Sequence, residues 1–131
     1  MAISRSENMR RIRSKDTKPE LTVRRLIRSL GYTGYRLHWK SVPGKPDIAF
    51  VGRKRAIIVQ GCFWHQHSCL NGRIPRSNEN YWRSKLTRNL ERDAEVHAAL
   101  RELGWSILIL WECELKDHAT IKERISRFLA D

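Results

Sequence analysis

Pro43-Gly44-Lys45-Pro46-Asp47-Ile48-Ala49-Phe50-Val51-Gly52-Arg53-Lys54-Arg55-Ala56-Ile57-Ile58-Val59-Gln60 is the stretch that decides the fold class. Val42–Pro46 must turn tightly, because two prolines and a glycine restrict every other course. Asp47–Val51 then reads as a strand, Gly52–Lys54 as the turn of a hairpin, and Arg55–Val59 as a buried strand. Just upstream, Tyr35-Arg36-Leu37-His38-Trp39 alternates as a further strand would.

Helical signals flank these strands. Thr17-Lys18-Pro19-Glu20 is a capping box with proline in the first turn. Val23, Leu26, Ile27 and Leu30 follow at helical spacing, and Gly31 ends the run. A second, long helix starts after a Ser77 or Asn78 cap and reaches about Leu103. Trp82, Leu86, Leu90, Val96, Leu100 and Leu103 form its apolar face, and Arg83, Lys85, Arg88 and Arg92 its basic flank. Ser106–Trp111 has the composition of a fully buried strand, and a last helix carries Ile121, Ile125, Phe128 and Leu129. A strand–helix–strand return predicts an α/β domain with a mixed sheet covered by helices. The domain is expected to span residues 17–131, preceded by a basic arm over 1–16. Residues 1–18 carry a net charge of +4 with few apolar side chains. In that arm Met9 either wedges between bases or lies on the core.

The chain has 131 residues, 26 Lys and Arg against 14 acids, and a net charge of +12, which favours a polyanionic partner. Nucleic acid ranks ahead of an acidic membrane. No apolar run approaches the roughly 20 residues that span a bilayer, and the first residues lack the apolar core of a secretion signal. An intracellular, cytoplasmic protein is therefore expected, in which clustered thiols bind metal rather than pair.

Gln60–Cys69 concentrates the chemistry. Cys62, Cys69 and one of His65 or His67 have the residue types of a zinc site, and Cys113, leaving the last strand, supplies the remaining cysteine of the chain. If that strand lies near Arg55–Val59, a closed structural Zn²⁺ site results; spacing alone leaves His65 and His67 open. Asp47, at a strand start beside this loop, has the character of a Mg²⁺ ligand for phosphodiester cleavage, with His65 as general base or acid. Phe63, Trp64 and Trp82 either stack on bases or cover the core; Trp82 lies on the apolar stripe of its helix. Glu20 need do no more than cap.

Gly61-Cys62-Phe63-Trp64-His65 with His67-x-Cys69, Pro43-Gly44-Lys45-Pro46-Asp47 and Trp111-Glu112-Cys113 resembles the very short patch repair endonucleases. Asn8-Met9-Arg10 and Asn89-Leu90-Glu91-Arg92-Asp93 are similar too, so the resemblance runs from about residue 5 to 129. It implies a restriction-endonuclease-like fold of the PD-(D/E)xK type, and nicking of double-stranded DNA beside a T:G mismatch left by deamination of 5-methylcytosine. It further implies Asp47 and the Val59 carbonyl as Mg²⁺ ligands, His65 as catalytic histidine and Glu20 as a supporting acid. Zn²⁺ falls to Cys62, His67, Cys69 and Cys113. Met9, Arg10, Phe63, Trp64 and Trp82 fall to the DNA. A monomer is implied, bacterial and nucleoid-associated when bound, with links to a cytosine methyltransferase and downstream repair proteins.

Two departures stand out. Gln60 occupies the place of a second catalytic histidine, and glutamine carries neither a proton nor a charge at neutral pH. The acid-x-Lys element that many nucleases of this fold carry on the third strand is absent. A nuclease of the same fold with another target, such as a restriction-type enzyme, and a non-catalytic zinc-stapled DNA-binding module are the rival expectations.

Overall fold

The computed structural model describes residues 17–62 and 74–130. Helix α1 (Lys18–Ser29) starts where the capping box places it: Thr17 Oγ1 accepts from the Glu20 amide at 3.4 Å, and Pro19 sits in the first turn. Strands β1 (Arg36–Leu37), β2 (Ile48–Phe50) and β3 (Arg55–Gln60) follow, then the long helix α2 (Glu79–Glu102), strand β4 (Ser106–Trp111) and helix α3 (His118–Leu129). The sheet order is β1-β2-β3-β4, with the first two pairings antiparallel and β3–β4 parallel. The expected mixed sheet is present, and α2 makes the crossover between the parallel strands.

Residue parity sorts the core into two layers, because successive strand side chains point to opposite faces. Ile48, Phe50, Ile57 and Leu110 pack against Val23, Leu26 and Ile27 of α1 and Ile121, Ile125 and Leu129 of α3. Ala49 and Ala56 face the other way, towards Leu100 of α2 and Trp105. The sheet is thus covered on both sides. Val23 and Ile27 are fully buried and Leu26 is nearly so. Three such side chains contribute roughly 5–9 kcal/mol to holding α1 on the sheet. That is enough to keep a buried carboxylate on the same helix stripe, whose burial costs several kcal/mol before pairing.

Several local expectations change. The alternating Tyr35–Trp39 segment pairs as strand only over Arg36–Leu37, and the Gly52–Lys54 turn is a 3₁₀ turn over Val51–Arg53 closed by Lys54 in the left-handed region. β4 is not fully buried: it is an edge strand among the described residues, and only Leu110 has lost all solvent contact. Asn78 stands at the N-cap of α2 in a left-handed conformation and makes no side-chain capping bond. Trp82, Leu86 and Leu100 are buried, whereas Leu90 and Leu103 of the expected apolar face are exposed.

Candidate active site

The site forms where α1, the β1–β2 connection and the end of β3 meet. Glu20 lies three residues before Val23 and seven before Ile27, so helical geometry puts it on the buried stripe of α1, and its side chain is 3% exposed. Its Oε2 accepts from Arg24 Nη2 at 2.5 Å, one turn along, which compensates the buried charge. Its Oε1 is 2.7 Å from His38 Nε2.

Asp47 enters from the start of β2. The β1–β2 ladder pairs Arg36 with Ala49 and Leu37 with Ile48, so the next step sets His38 opposite Asp47. The His38 amide donates to the Asp47 carbonyl at 3.1 Å, and the Trp39 amide to the Pro46 carbonyl at 3.3 Å. On the other side, β2–β3 pairing stops at Ile48↔Ile57. The Pro46 carbonyl, opposite Val59 in that register, accepts from Trp39 instead. The Val59 amide instead donates to Asp47 Oδ2 at 2.8 Å, so the carboxylate takes the place of a strand partner.

The donor atoms of Glu20, His38 and Asp47 all lie within 4.8 Å of one another, and no other such group of three metal-ligating side chains occurs among the described residues. Asp47 is raised from the ordinary carboxylate value of 3.8 to about 8. Burial is the main cause, followed by its hydrogen bond to Glu20 and that residue's charge; the Val59 amide and the Arg24 guanidinium pull the other way. Two carboxylates and an imidazole, with ionisation held back, are a donor set that a divalent cation fits, because the cation supplies the charge the cluster lacks.

The expected residues therefore come together in part. Glu20, Asp47 and Val59 meet, and Val59, whose carbonyl the resemblance gave to Mg²⁺, is tied to Asp47 through its amide. Gln60 is buried at the end of β3, in register with Trp111. Two residues beyond that matched pair stand Cys62, buried, and Cys113, half-buried, so the condition for bringing these cysteines together, adjacency of β3 and β4, is met. The Cys62 amide donates to Glu112 Oε1 at 2.9 Å, joining the two segments. His65, His67, Cys69, Phe63, Trp64, Met9 and Arg10 lie outside the described residues, as does the arm over 1–16.

The resemblance gives Trp82 to the DNA while its helical stripe allows the core; its side chain is fully buried and packs with Leu86 and Ile74. Its position on the apolar stripe of α2 determines this, and its neighbour Tyr81 is the exposed aromatic of that turn. Arg83, Lys85, Arg88 and Arg92 of the same helix are exposed, as the basic flank required.

His38 was missed as a site residue, having served only as a member of an alternating strand. The β1–β2 register would have found it, since continuing the hairpin by one step faces it with Asp47. Glu20 was undervalued: its membership of the Val23–Ile27 stripe already aimed it at the sheet.

Comparison with known proteins gives the family. The family model for the DNA mismatch endonuclease Vsr matches residues 2–71, which include Glu20, His38, Asp47 and Val59. The type II nicking enzyme V.XorIIP of Xanthomonas oryzae pv. oryzae is 44% identical over 92% of this chain and 88% of its own length. The type II nicking enzyme V.NmeAIP of Neisseria meningitidis is 42% identical over 97% of this chain and 90% of its own length. The DNA mismatch endonuclease Vsr of Escherichia coli is 38% identical over 86% and 72%. With a matching family model and relatives that share its length as well as its sequence, the chain belongs to the Vsr family of DNA mismatch endonucleases.

Proposed function

We propose that this chain is a DNA mismatch endonuclease that nicks one strand of a duplex at a T:G mismatch, by divalent-cation-dependent hydrolysis of a phosphodiester. The observation that carries the proposal is the Glu20–His38–Asp47 cluster, fastened by the Val59 amide, in a chain of this family. The restriction-endonuclease-like fold belongs to the same proposal, supported by the mixed sheet and by a carboxylate at the start of its second strand.

Asp47, with the Val59 carbonyl, would hold Mg²⁺, and Glu20 would orient the site from α1. When bound, the cation supplies positive charge to the phosphodiester and its developing oxyanion. The Val59 amide fixes the rotamer of Asp47, and Arg24 holds the Glu20 carboxylate from the next turn of α1. His65 would move a proton as general base or acid. Gln60 would contact the phosphate as a hydrogen-bond donor, without carrying charge. A structural Zn²⁺ on Cys62, His67, Cys69 and Cys113 would hold the His65 loop, supported by the matched positions of Cys62 and Cys113 beyond β3 and β4.

The partner is double-stranded DNA, supported by the charge of +12 and the exposed basic flank of α2. Residues 1–16 would form a DNA-contacting arm, with Met9 and Arg10, and residues 17–131 one endonuclease domain acting as a monomer. Phe63 and Trp64 would face the bases. No helix among the described residues is long and apolar enough to cross a membrane. A cytoplasmic place and a functional link to a cytosine methyltransferase and later repair steps complete the proposal. The test is nicking of a T:G duplex against its matched counterpart, with and without divalent cation; equal cutting of both, or of neither, overturns it.

A further inference from the structure

His38 is held in the cluster by unusual means. Its φ is 47°, a left-handed conformation that is uncommon outside glycine, though histidine adopts it more readily than most. Such conformations persist only where the surroundings enforce them, and they gather at functional sites. Here the enforcing contact is the Asp47 carbonyl, which accepts the His38 amide at 3.1 Å. The residue that presents the half-buried second carboxylate thus also sets the backbone of the histidine. The ring is 20% exposed, against 3% for the Glu20 side chain it touches.

A histidine against one carboxylate is common. In this cluster the carboxylate is buried, hydrogen-bonded to a second carboxylate, and within 4.8 Å of both other donors. Donors on a six-coordinate cation at about 2.1 Å stand about 3.0 Å apart when adjacent and about 4.2 Å when opposite. The span of the cluster is therefore close to that of a single ion, with the 2.7 Å between Nε2 and Oε1 opening slightly to admit it.

The geometry points to His38 as a third side-chain ligand of the cation, through Nε2 beside the carboxylates of Glu20 and Asp47, and so to a site that takes Mn²⁺ in preference to Mg²⁺. This rests on the cation-site reading of Asp47 given above. Imidazole suits transition ions, whereas Mg²⁺ favours oxygen donors and retains its water. The ion would take the place of the hydrogen bond between Nε2 and Oε1.

The test is binding rather than cleavage. Mn²⁺ is titrated into the full chain and followed by electron paramagnetic resonance, with Mg²⁺ as competitor. Pulsed measurement of the bound ion then reports directly coupled nitrogen. The unmodified chain should show nitrogen coupling and need at least about ten-fold more Mg²⁺ than Mn²⁺ for equal occupancy. His38→Gln should lose the coupling, bind Mn²⁺ about ten-fold or more weakly, and discriminate less between the two ions. The coupling in the unmodified chain requires no variant to fold. Absent coupling, or coupling and affinity unchanged in His38→Gln, overturns the role of His38 while leaving the cation site intact. Mn²⁺ bound equally well by Asp47→Ala overturns the cation site itself.

Discussion

The Val59 amide donates to Asp47 Oδ2 at 2.8 Å, and this bond joins the carboxylate just before β2 to the penultimate residue of β3. It exists because the β2–β3 ladder stops at Ile48↔Ile57 and the Pro46 carbonyl, opposite Val59, accepts from Trp39 instead, which leaves the Val59 N–H facing a side chain. The same carboxylate reaches Glu20, and its backbone carbonyl holds His38. One residue thus organises three segments, and its protonation should be visible in the behaviour of the whole chain.

Stability of the metal-free chain should fall as pH rises from about 4 to about 8. Asp47 goes from 3.8 to about 8 on folding, so between these values the folded chain keeps a proton that the unfolded chain has released. The contribution is complete below 3.8 and gone above about 8. Asp47→Asn, which keeps an acceptor for the Val59 amide, should flatten the profile and stabilise the metal-free chain at pH 8 by an amount on the order of 1–3 kcal/mol. Urea unfolding across that range measures both; a steeper loss in Asp47→Asn would contradict the account.

Glu20→Gln and Glu20→Ala should behave differently. The glutamine keeps hydrogen bonds to Arg24 and His38 but loses charge, so the fold should survive with roughly 10–100-fold weaker activity or cation affinity. The alanine leaves the largely buried Arg24 guanidinium without its carboxylate, a loss of about 3–5 kcal/mol by the usual behaviour of broken buried pairs. Comparing thermal unfolding with activity for the two variants separates the roles of Glu20.

Trp82→Ala should destabilise the free protein by about 3–5 kcal/mol, since it truncates a fully buried ring packed on Leu86 and Ile74. Denaturant unfolding without DNA makes the measurement. An unchanged midpoint, with DNA affinity alone reduced, would place the ring in the duplex after all.

Most of the frame was legible in the sequence, because its signals are local. The Thr17–Glu20 cap, the turn at Val42–Pro46 and the Arg55–Gln60 apolar run each act within a few residues. What escaped depends on how segments meet. Leu90 and Leu103 fit the helical stripe of α2, yet both stand exposed, because periodicity gives a face and not what covers it. β4 has the composition of a central strand but lies at the sheet edge among the described residues. His38 gains its role only once hairpin register sets it opposite Asp47, and Trp82 could be divided between core and DNA only by its burial.

Cys113→Ser should remove tightly bound zinc. With β3 and β4 in parallel register, Cys62 and Cys113 lie beyond matched residues, and loss of one thiolate ligand should reduce zinc from one per chain to well below one. Metal analysis of the purified protein checks this. Full zinc content in the variant would remove Cys113 from the site.

The central claim is that Asp47 holds the cation that cuts at a mismatch. The measurement that tests it most directly is strand nicking of a T:G duplex and of its matched partner, by the unmodified chain and by Asp47→Ala, in Mg²⁺, in Mn²⁺ and in chelator. The account predicts a single nick in the mismatched duplex only, dependent on divalent cation and reduced at least about a hundred-fold in Asp47→Ala. Undiminished nicking by Asp47→Ala, or nicking that ignores the mismatch, would contradict it.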